Sequence, residues 1–312
     1  MATYQWITAS KQSNTRKSIT LLISFPIFLF ILITVVFLFA DTNSLYSRGE
    51  RFDVALQSSS AFLMILVPII VIRGLIVFYF QKQIIFRFAG ARELTRKENP
   101  EIYNIVENLC ISKGLPTPKI WTIDTPGLNA FATGWKASDS RVVFTSGLLK
   151  TLDKSEIEAV AAHELSHIIN KDSLLMLISV VYIGIISTLG SILIRVRGNS
   201  NSKGGNVLPL IGIALIILGY LVYPLLRLAI SRKREFLADL GAVELTKDSQ
   251  AMMSALQKIS GRSRVPSANE NMAMFFISSP ASELGADQKP QKSSIRDTHP
   301  SIDERVSALK NY

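Results

Sequence analysis

The sequence predicts a mainly α-helical integral membrane protein, with about four transmembrane helices and a cytoplasmic α+β domain built around a small β-sheet. Three observations carry this. Of 312 residues, 48% are hydrophobic and only 19% charged, too apolar for a disordered chain and oily for a soluble domain. Four runs with almost no charge approach the roughly 20 residues that span hydrocarbon. The polar stretches around them carry helix caps, strand-like runs and a histidine pair at helical spacing.

The runs cover 19–40, 58–80, 174–194 and 207–226, with Arg73 their single charge. The first is too long for a signal-peptide core and lacks a small-residue cleavage pattern behind it, so it reads as retained. The second pair contains Gly184, Gly190, Gly212 and Gly219, small residues of the kind that let helices approach closely in lipid.

The net charge of +10 is sorted by position. Lys11, Arg16 and Lys17 precede the first run; Lys82, Arg87, Arg92, Arg96 and Lys97 follow the second; Arg232, Lys233 and Arg234 follow the fourth. Basic clusters beside apolar runs are topology signals, unlike the basic stripe with aromatics of a nucleic-acid binder. A lipid bilayer is therefore the expected partner, and nucleic acid is not. Both termini and both polar segments then face the cytoplasm. Arg195, Arg197 and Lys203 oppose this rule and leave open whether the hairpin fully crosses. The expected organisation is a tail over 1–18, two spans with a short external loop over 19–80, and a first domain part over 81–173. A hairpin over 174–230 and a second domain part over 231–312 complete it.

Within the first domain part, Ile102, Ile105, Val106, Leu109 and Cys110 share one side of a helix over 99–113, which Gly114 stops. The lone Cys110 excludes an intramolecular disulfide and a multi-cysteine metal site, and reads as a small core residue. Strands are expected at 119–123, 128–135 and 141–145, with a turn at 136–140. Asp153 with Glu156 three residues on forms a capping box. The helix it opens has an apolar stripe of Ile157, Val160, Ala161, Leu165 and Ile168. Further helices are expected at 232–245, 252–259 and 302–309, and a mobile loop at 280–297.

His163-Glu164-Leu165-Ser166-His167 is an H-E-x-x-H on that helix. The spacing puts both imidazoles one turn apart on one face, where they can bind one Zn²⁺. Glu164 stands beside them, suited to take a proton from an activated water. With only three histidines in the chain, a chance match is a poor explanation. A catalytic zinc usually takes three protein ligands, and Glu235 is the best candidate for the third. By spacing alone Glu235 is as well a solvated helix charge; what favours ligation is that the hairpin returns it to the side of His163. Asp239, one turn further, suits a carboxylate that accepts an imidazole N–H. His299 reads more simply as a residue before Pro300 than as an oxyanion donor.

At these residues the chain resembles the membrane zinc protease family that contains bacterial HtpX and the CAAX prenyl endopeptidases, and the HtpX branch most. The resemblance rests on Ala162-His-Glu-Leu-Ser-His167, on Arg234-Glu-Phe-Leu-Ala-Asp239, on Leu128-Asn-Ala-Phe131, and on Thr298-His-Pro-Ser301 with Glu304-Arg305. It covers nearly the whole chain, although the N-terminal tail is longer than that branch leads one to expect. It implies a zincin-like protease domain of gluzincin type, one Zn²⁺ per chain on His163, His167 and Glu235, and Asp239 supporting them. It also implies that Asn129, Ala130 and Phe131 form an edge strand offering backbone to an extended substrate. His299 becomes a transition-state contact, and Arg305 keeps a structural role by default.

The expected activity is that of a membrane-bound zinc endopeptidase of the bacterial inner membrane, active on its cytoplasmic face. The implied substrates are polypeptides, misfolded or damaged membrane proteins, and the implied partners are other membrane proteases of quality control. Rival readings are an intramembrane protease, a CAAX-processing peptidase and a non-catalytic scaffold. Asp153, Lys154, Glu156, Asn170, Lys171 and Asp172 argue against the first, since so many polar groups are costly in hydrocarbon. The flexible stretch 281–297 also makes self-cleavage an expectation.

Overall fold

The structure, a computed structural model, describes residues 90–134, 137–195, 209–219, 232–260, 262–266, 276–278 and 299–310. Within 16–72 it also describes 47, 49–65 and scattered positions on either side. The chain divides into one unit of 1–15, 83–177 and 229–312, and a second of 16–82 and 178–228.

In the first unit four short strands form a mixed sheet in the order β1-β2-β4-β3. They are β1 (Ala91–Glu93), β2 (Lys119–Ile123), β3 (Ala130–Thr133) and β4 (Arg141–Thr145). β2 runs parallel to β4, with Trp121 opposite Val143, while β1 and β3 are antiparallel to their neighbours. β2 and β4 follow the expected limits. β3 is shorter than expected: at one end the Asn129 N–H donates to the Thr145 hydroxyl at 2.9 Å instead of to a ladder carbonyl, and at the other Gly134 takes φ +153. β1 was not foreseen: three residues, two of them charged, carry no alternating pattern.

The helices are α1 (Pro100–Ser112), α2 (Ser146–Thr151), α3 (Lys154–Ile169), α4 (Asp172–Arg195), α5 (Arg232–Thr246), α6 (Ser249–Ile259) and α7 (Ile302–Lys310). Asn99 caps α1, accepting the Ile102 N–H at 3.1 Å, with Pro100 at the first helical position. Its apolar side, Ile102 to Cys110, is buried. The α5–α6 break falls at Lys247, in the left-handed region with φ +59, and Asp248 then caps α6. The main core joins α1, the sheet, α3, α5, α6 and α7 through Phe144, Val160, Ala242, Met252 and Val306.

α3 starts from the expected capping box. The Asp153 carboxylate accepts the Glu156 N–H at 2.9 Å, and Glu156 accepts the Asp153 N–H at 2.8 Å. Glu156 also meets Lys258 at 2.6 Å and Ser254 at 2.6 Å on α6. One buried carboxylate thus fixes both the start of α3 and its neighbour.

In the second unit Leu29, Ile33, Ile186, Leu189, Ile211, Leu215 and Leu218 make a separate apolar cluster. A Cβ on Gly212 would sit 2.8 Å from the Gly190 carbonyl oxygen, so the glycines permit this contact. Met64, Ile65, Ile23 and Ile217 are exposed. Among the described residues, no helix is long and apolar enough to cross a membrane. α4 carries the third expected run, whereas much of the other three, and the expected loop at 280–297, lies outside the described residues.

Candidate metal centre

α3 and α5 build the centre by lying side by side. Small residues make this possible: Ala161 and Ala162 on α3, Ala238 and Ala242 on α5, all buried. At Gly241 a Cβ would fall 2.5 Å from the Ser166 hydroxyl oxygen. Glycine there lets α5 close on α3.

His163, His167 and Glu235 converge. Their ligand atoms lie within 4.8 Å of one another, and all three residues are buried. The two Nε2 atoms are 3.2 Å apart. Glu235 Oε2 is 3.7 Å from His163 Nε2, and Oε1 is 3.6 Å from His167 Nε2. Two donors on one tetrahedral zinc lie about 3.3–3.4 Å apart, given Zn–N distances of roughly 2.0–2.1 Å, so the spacing fits.

The outer nitrogens explain why the inner ones face each other. His163 Nδ1 is 2.9 Å from Asp239 Oδ1, and His167 Nδ1 is 2.9 Å from Asp172 Oδ2. If each Nδ1 carries the proton toward its carboxylate, both Nε2 lone pairs point into the space that Glu235 also faces. Three electron-pair donors converging in a buried site repel unless a proton or a metal ion lies among them. The donor set of two imidazoles and a carboxylate suits Zn²⁺.

The surrounding charges respond to the same crowding. Burial opposes protonation of His163 and pushes it down to about 4 in the metal-free protein. Burial acts the same way on His167, but the Asp172 hydrogen bond and the Glu235 charge outweigh it and bring it up to about 9. Burial pushes the Glu164 carboxyl up to about 8, with the Glu235 charge adding to the effect. Neither Glu164 oxygen makes a well-formed side-chain hydrogen bond; the Ala132 backbone on β3 supplies a weaker favourable interaction. Despite its burial, Glu235 lies well below the usual carboxylate range, drawn there by His299, His167 and Arg305.

His299 is buried, with Nδ1 3.5 Å from Glu235 Oε2. Arg305 on α7 is buried as well. It donates to Asp239 through Nε at 2.8 Å and Nη2 at 2.6 Å, to the Ile277 carbonyl at 2.8 Å, and approaches Glu235 at 3.4 Å. The structural role expected of Arg305 takes a definite form: its fork binds a carboxylate that itself holds a histidine.

Asn129–Phe131 leads into β3, the strand whose Ala132 backbone faces Glu164. Asn129 is fully buried, and its amide donates to the carbonyls of Ser263 and Ser278 at 2.8 and 2.9 Å. β3 is an edge of the four-stranded sheet. The chain's own Phe276–Ser278 lies along that edge: Ile277 N–H donates to Ala130 O at 2.9 Å, and Phe276 bridges and packs on Phe131 with ring centroids 4.8 Å apart. From the sequence Asp172 reads as a polar neighbour of an apolar run, and Arg234 as part of a basic cluster and the first residue of the Glu235 segment; the sequence names a partner for neither. The available signal was an acid five residues past the second histidine and a base immediately before Glu235.

Comparison with known proteins gives the chain a family. The model of peptidase family M48 matches residues 96–312. A "Protease HtpX homolog" of Bacteroides fragilis is 36% identical over 322 residues, covering 99% of both chains. Another from Dictyoglomus turgidum is 40% identical over 232 residues, covering 73% of this chain and 74% of that one. The crystal structure of S. mikatae Ste24p matches with TM-score 0.50 at 21% identity, over 97% of this chain and 66% of that chain. The likeness places the two in one fold, helix-rich with a small mixed sheet, with this chain spanning about two thirds of the other's length. On the family match and the identity over its full length, the chain belongs to peptidase family M48 and is a metalloprotease.

Proposed function

We propose that the chain is a membrane-bound, zinc-dependent endopeptidase. Its active site faces the bacterial cytoplasm, and it clears misfolded or damaged membrane proteins. The observation that carries this reading is the convergence of His163, His167 and Glu235 beside a buried Glu164. The names of the relatives, protease HtpX homologs, support the functional class. The four apolar runs, the exposed apolar residues of the second unit and the basic clusters support the bilayer, the four-span organisation and its division at 19–80 and 174–230.

His163, His167 and Glu235 would hold the zinc, and Asp239 would fix the His163 ring. Bound there, the ion supplies Lewis acidity to a water and to the scissile carbonyl. Glu164 takes the proton from the attacking water and delivers it to the leaving amine. Its place next to His163 on α3 lets one carboxylate serve both halves of that task. His299 donates toward the oxyanion that develops at the carbonyl. A substrate that paired with β3 at Ala130 and Phe131 would have to displace Phe276 and Ile277, or pair beyond them.

The test is cleavage of an unfolded protein by detergent-purified, metal-free chain, before and after adding zinc, with Glu164→Gln beside it. Cleavage that needs zinc and is absent from the variant is expected. Equal cleavage by the variant overturns the mechanism. Absence of cleavage by a zinc-loaded wild type, with complementation by Glu164→Gln in cells, would favour a scaffold.

A further inference from the structure

We propose that Asp172, clamped by Arg234, is the positioning residue of His167, the two partners coming from either side of the 174–230 stretch in the sequence. The inference rests on His167 being a metal ligand. Three observations carry it.

First, the carboxylate is divided between two partners. Oδ2 lies 2.9 Å from His167 Nδ1 and Oδ1 accepts from Arg234 Nη1 at 3.3 Å. The aspartate is 1% exposed and the arginine 5%. A buried ion pair is weak evidence for stability, since its desolvation offsets much of its attraction. An acid at a helix N-terminus is ordinarily explained by the helix dipole, and that explanation requires neither burial nor a histidine on one oxygen.

Second, the backbone is bent to make the contact. Lys171 lies in the left-handed region with φ +59 between α3 and α4. Such a residue without a glycine's freedom carries a local cost. The turn brings the first residue of α4 back against His167, on the last turn of α3.

Third, both partners stand at chain crossings. Asp172 lies just before the apolar run that starts at 174, and Arg234 just after the hairpin, next to Glu235. Asp239 does the same for His163 from α5. Each histidine therefore has its own carboxylate on Nδ1, and the one on His167 is anchored by the segment that flanks the hairpin.

The test measures zinc affinity of the full-length protein in detergent, by competition with a chelator. The absorption spectrum of the cobalt-loaded protein is recorded alongside. Asp172→Asn keeps the shape but weakens the acceptor. Asp172→Asn with Arg234→Gln removes both charges, so that neither is left buried alone. Loss of a partner that orients a metal ligand costs about 10- to 100-fold in metal affinity. That loss is expected in both variants, with an altered cobalt spectrum and a folded metal-free protein by circular dichroism. Arg234→Lys, which keeps a charge near Asp172, is expected to stay closer to wild type. Affinity within twofold of wild type and an unchanged spectrum in a folded variant overturn the inference. So does a double variant that cannot fold, because the pair would then be framework alone. A wild type that binds no zinc would instead overturn the proposed function.

Discussion

Arg305 grips Asp239 with two hydrogen bonds, Nε to Oδ2 at 2.8 Å and Nη2 to Oδ1 at 2.6 Å, and the same Oδ1 lies 2.9 Å from His163 Nδ1. The carboxylate is thus fixed in plane by the guanidinium and presents its edge to the imidazole. Arg305 holds Asp239 below its ordinary range, against the effect of burial. Arg305→Gln leaves Asp239 buried without its cation, which costs roughly 3–5 kcal/mol. The thermal midpoint of the metal-free variant should fall accordingly. Arg305→Lys, which cannot make the fork, should recover only part of that loss. A midpoint unchanged by Arg305→Gln would show that the fork contributes nothing to the fold.

Glu164 makes stability depend on pH. Burial holds its carboxyl at about 8 in the folded, metal-free protein, against 4.5 ordinarily. Between these values the native state retains a proton that the unfolded chain has lost, so stability falls as pH rises. The contribution is full below about 4.5 and is lost as pH rises through about 8. Glu164→Gln should therefore unfold at a higher temperature than wild type near pH 9, with the gap closing toward pH 5. Parallel midpoints at all pH values would contradict this.

Gly241 sets the approach of α5 to α3. In Gly241→Ala the new methyl meets the Ser166 hydroxyl oxygen at 2.5 Å and its Cβ at 3.0 Å. Ser166 is itself tied to the Ala162 carbonyl at 2.9 Å. Overpacking of this kind costs about 1–3 kcal/mol, and it moves Glu235 away from the histidines. Reduced zinc affinity and a lower midpoint are expected, with partial recovery on adding Ser166→Ala. Unchanged zinc binding in Gly241→Ala would show that the helix spacing tolerates the shift.

Asn129 holds loops to the sheet. Its amide donates to the Ser263 and Ser278 carbonyls, and its Oδ1 accepts the Ala130 N–H at 3.1 Å. Asn129→Ala leaves the buried Ser263 carbonyl and the part-buried Ser278 carbonyl without that donor, at about 1–3 kcal/mol. Limited proteolysis should then cut faster around 262–278. If the cutting rate is unchanged, the amide is not what keeps 276–278 on β3.

Asp172 and Arg305 mark what could not be read ahead of the fold. Asp172 was visible as a polar residue near an apolar run, and Arg305 as a motif position, but neither carries a local pattern that names its partner. Arg305 reaches Asp239 across 66 positions, and Asn129 reaches Ser278 across 149. The β1 strand had no alternation to betray it.

The sequence by itself determined what is local and periodic. The i, i+4 spacing puts His163 and His167 on one face, the Asp153–Glu156 box starts their helix, and the apolar side of α1 is legible from Ile102 to Cys110. Those features follow from helix geometry, which needs no distant partner. Only the tertiary structure decided what crosses the fold. It brought Glu235 between the histidines, gave each Nδ1 its own carboxylate, and laid Phe276–Ser278 along the edge of β3. The physical reason is that the Glu235 and Asp239 contacts depend on how closely α5 packs on α3, and the Asp172 contact on a left-handed turn at Lys171. The first is set by packing between segments far apart in the chain; the second joins residues five apart through a backbone conformation that a lysine seldom adopts and that no local pattern announces.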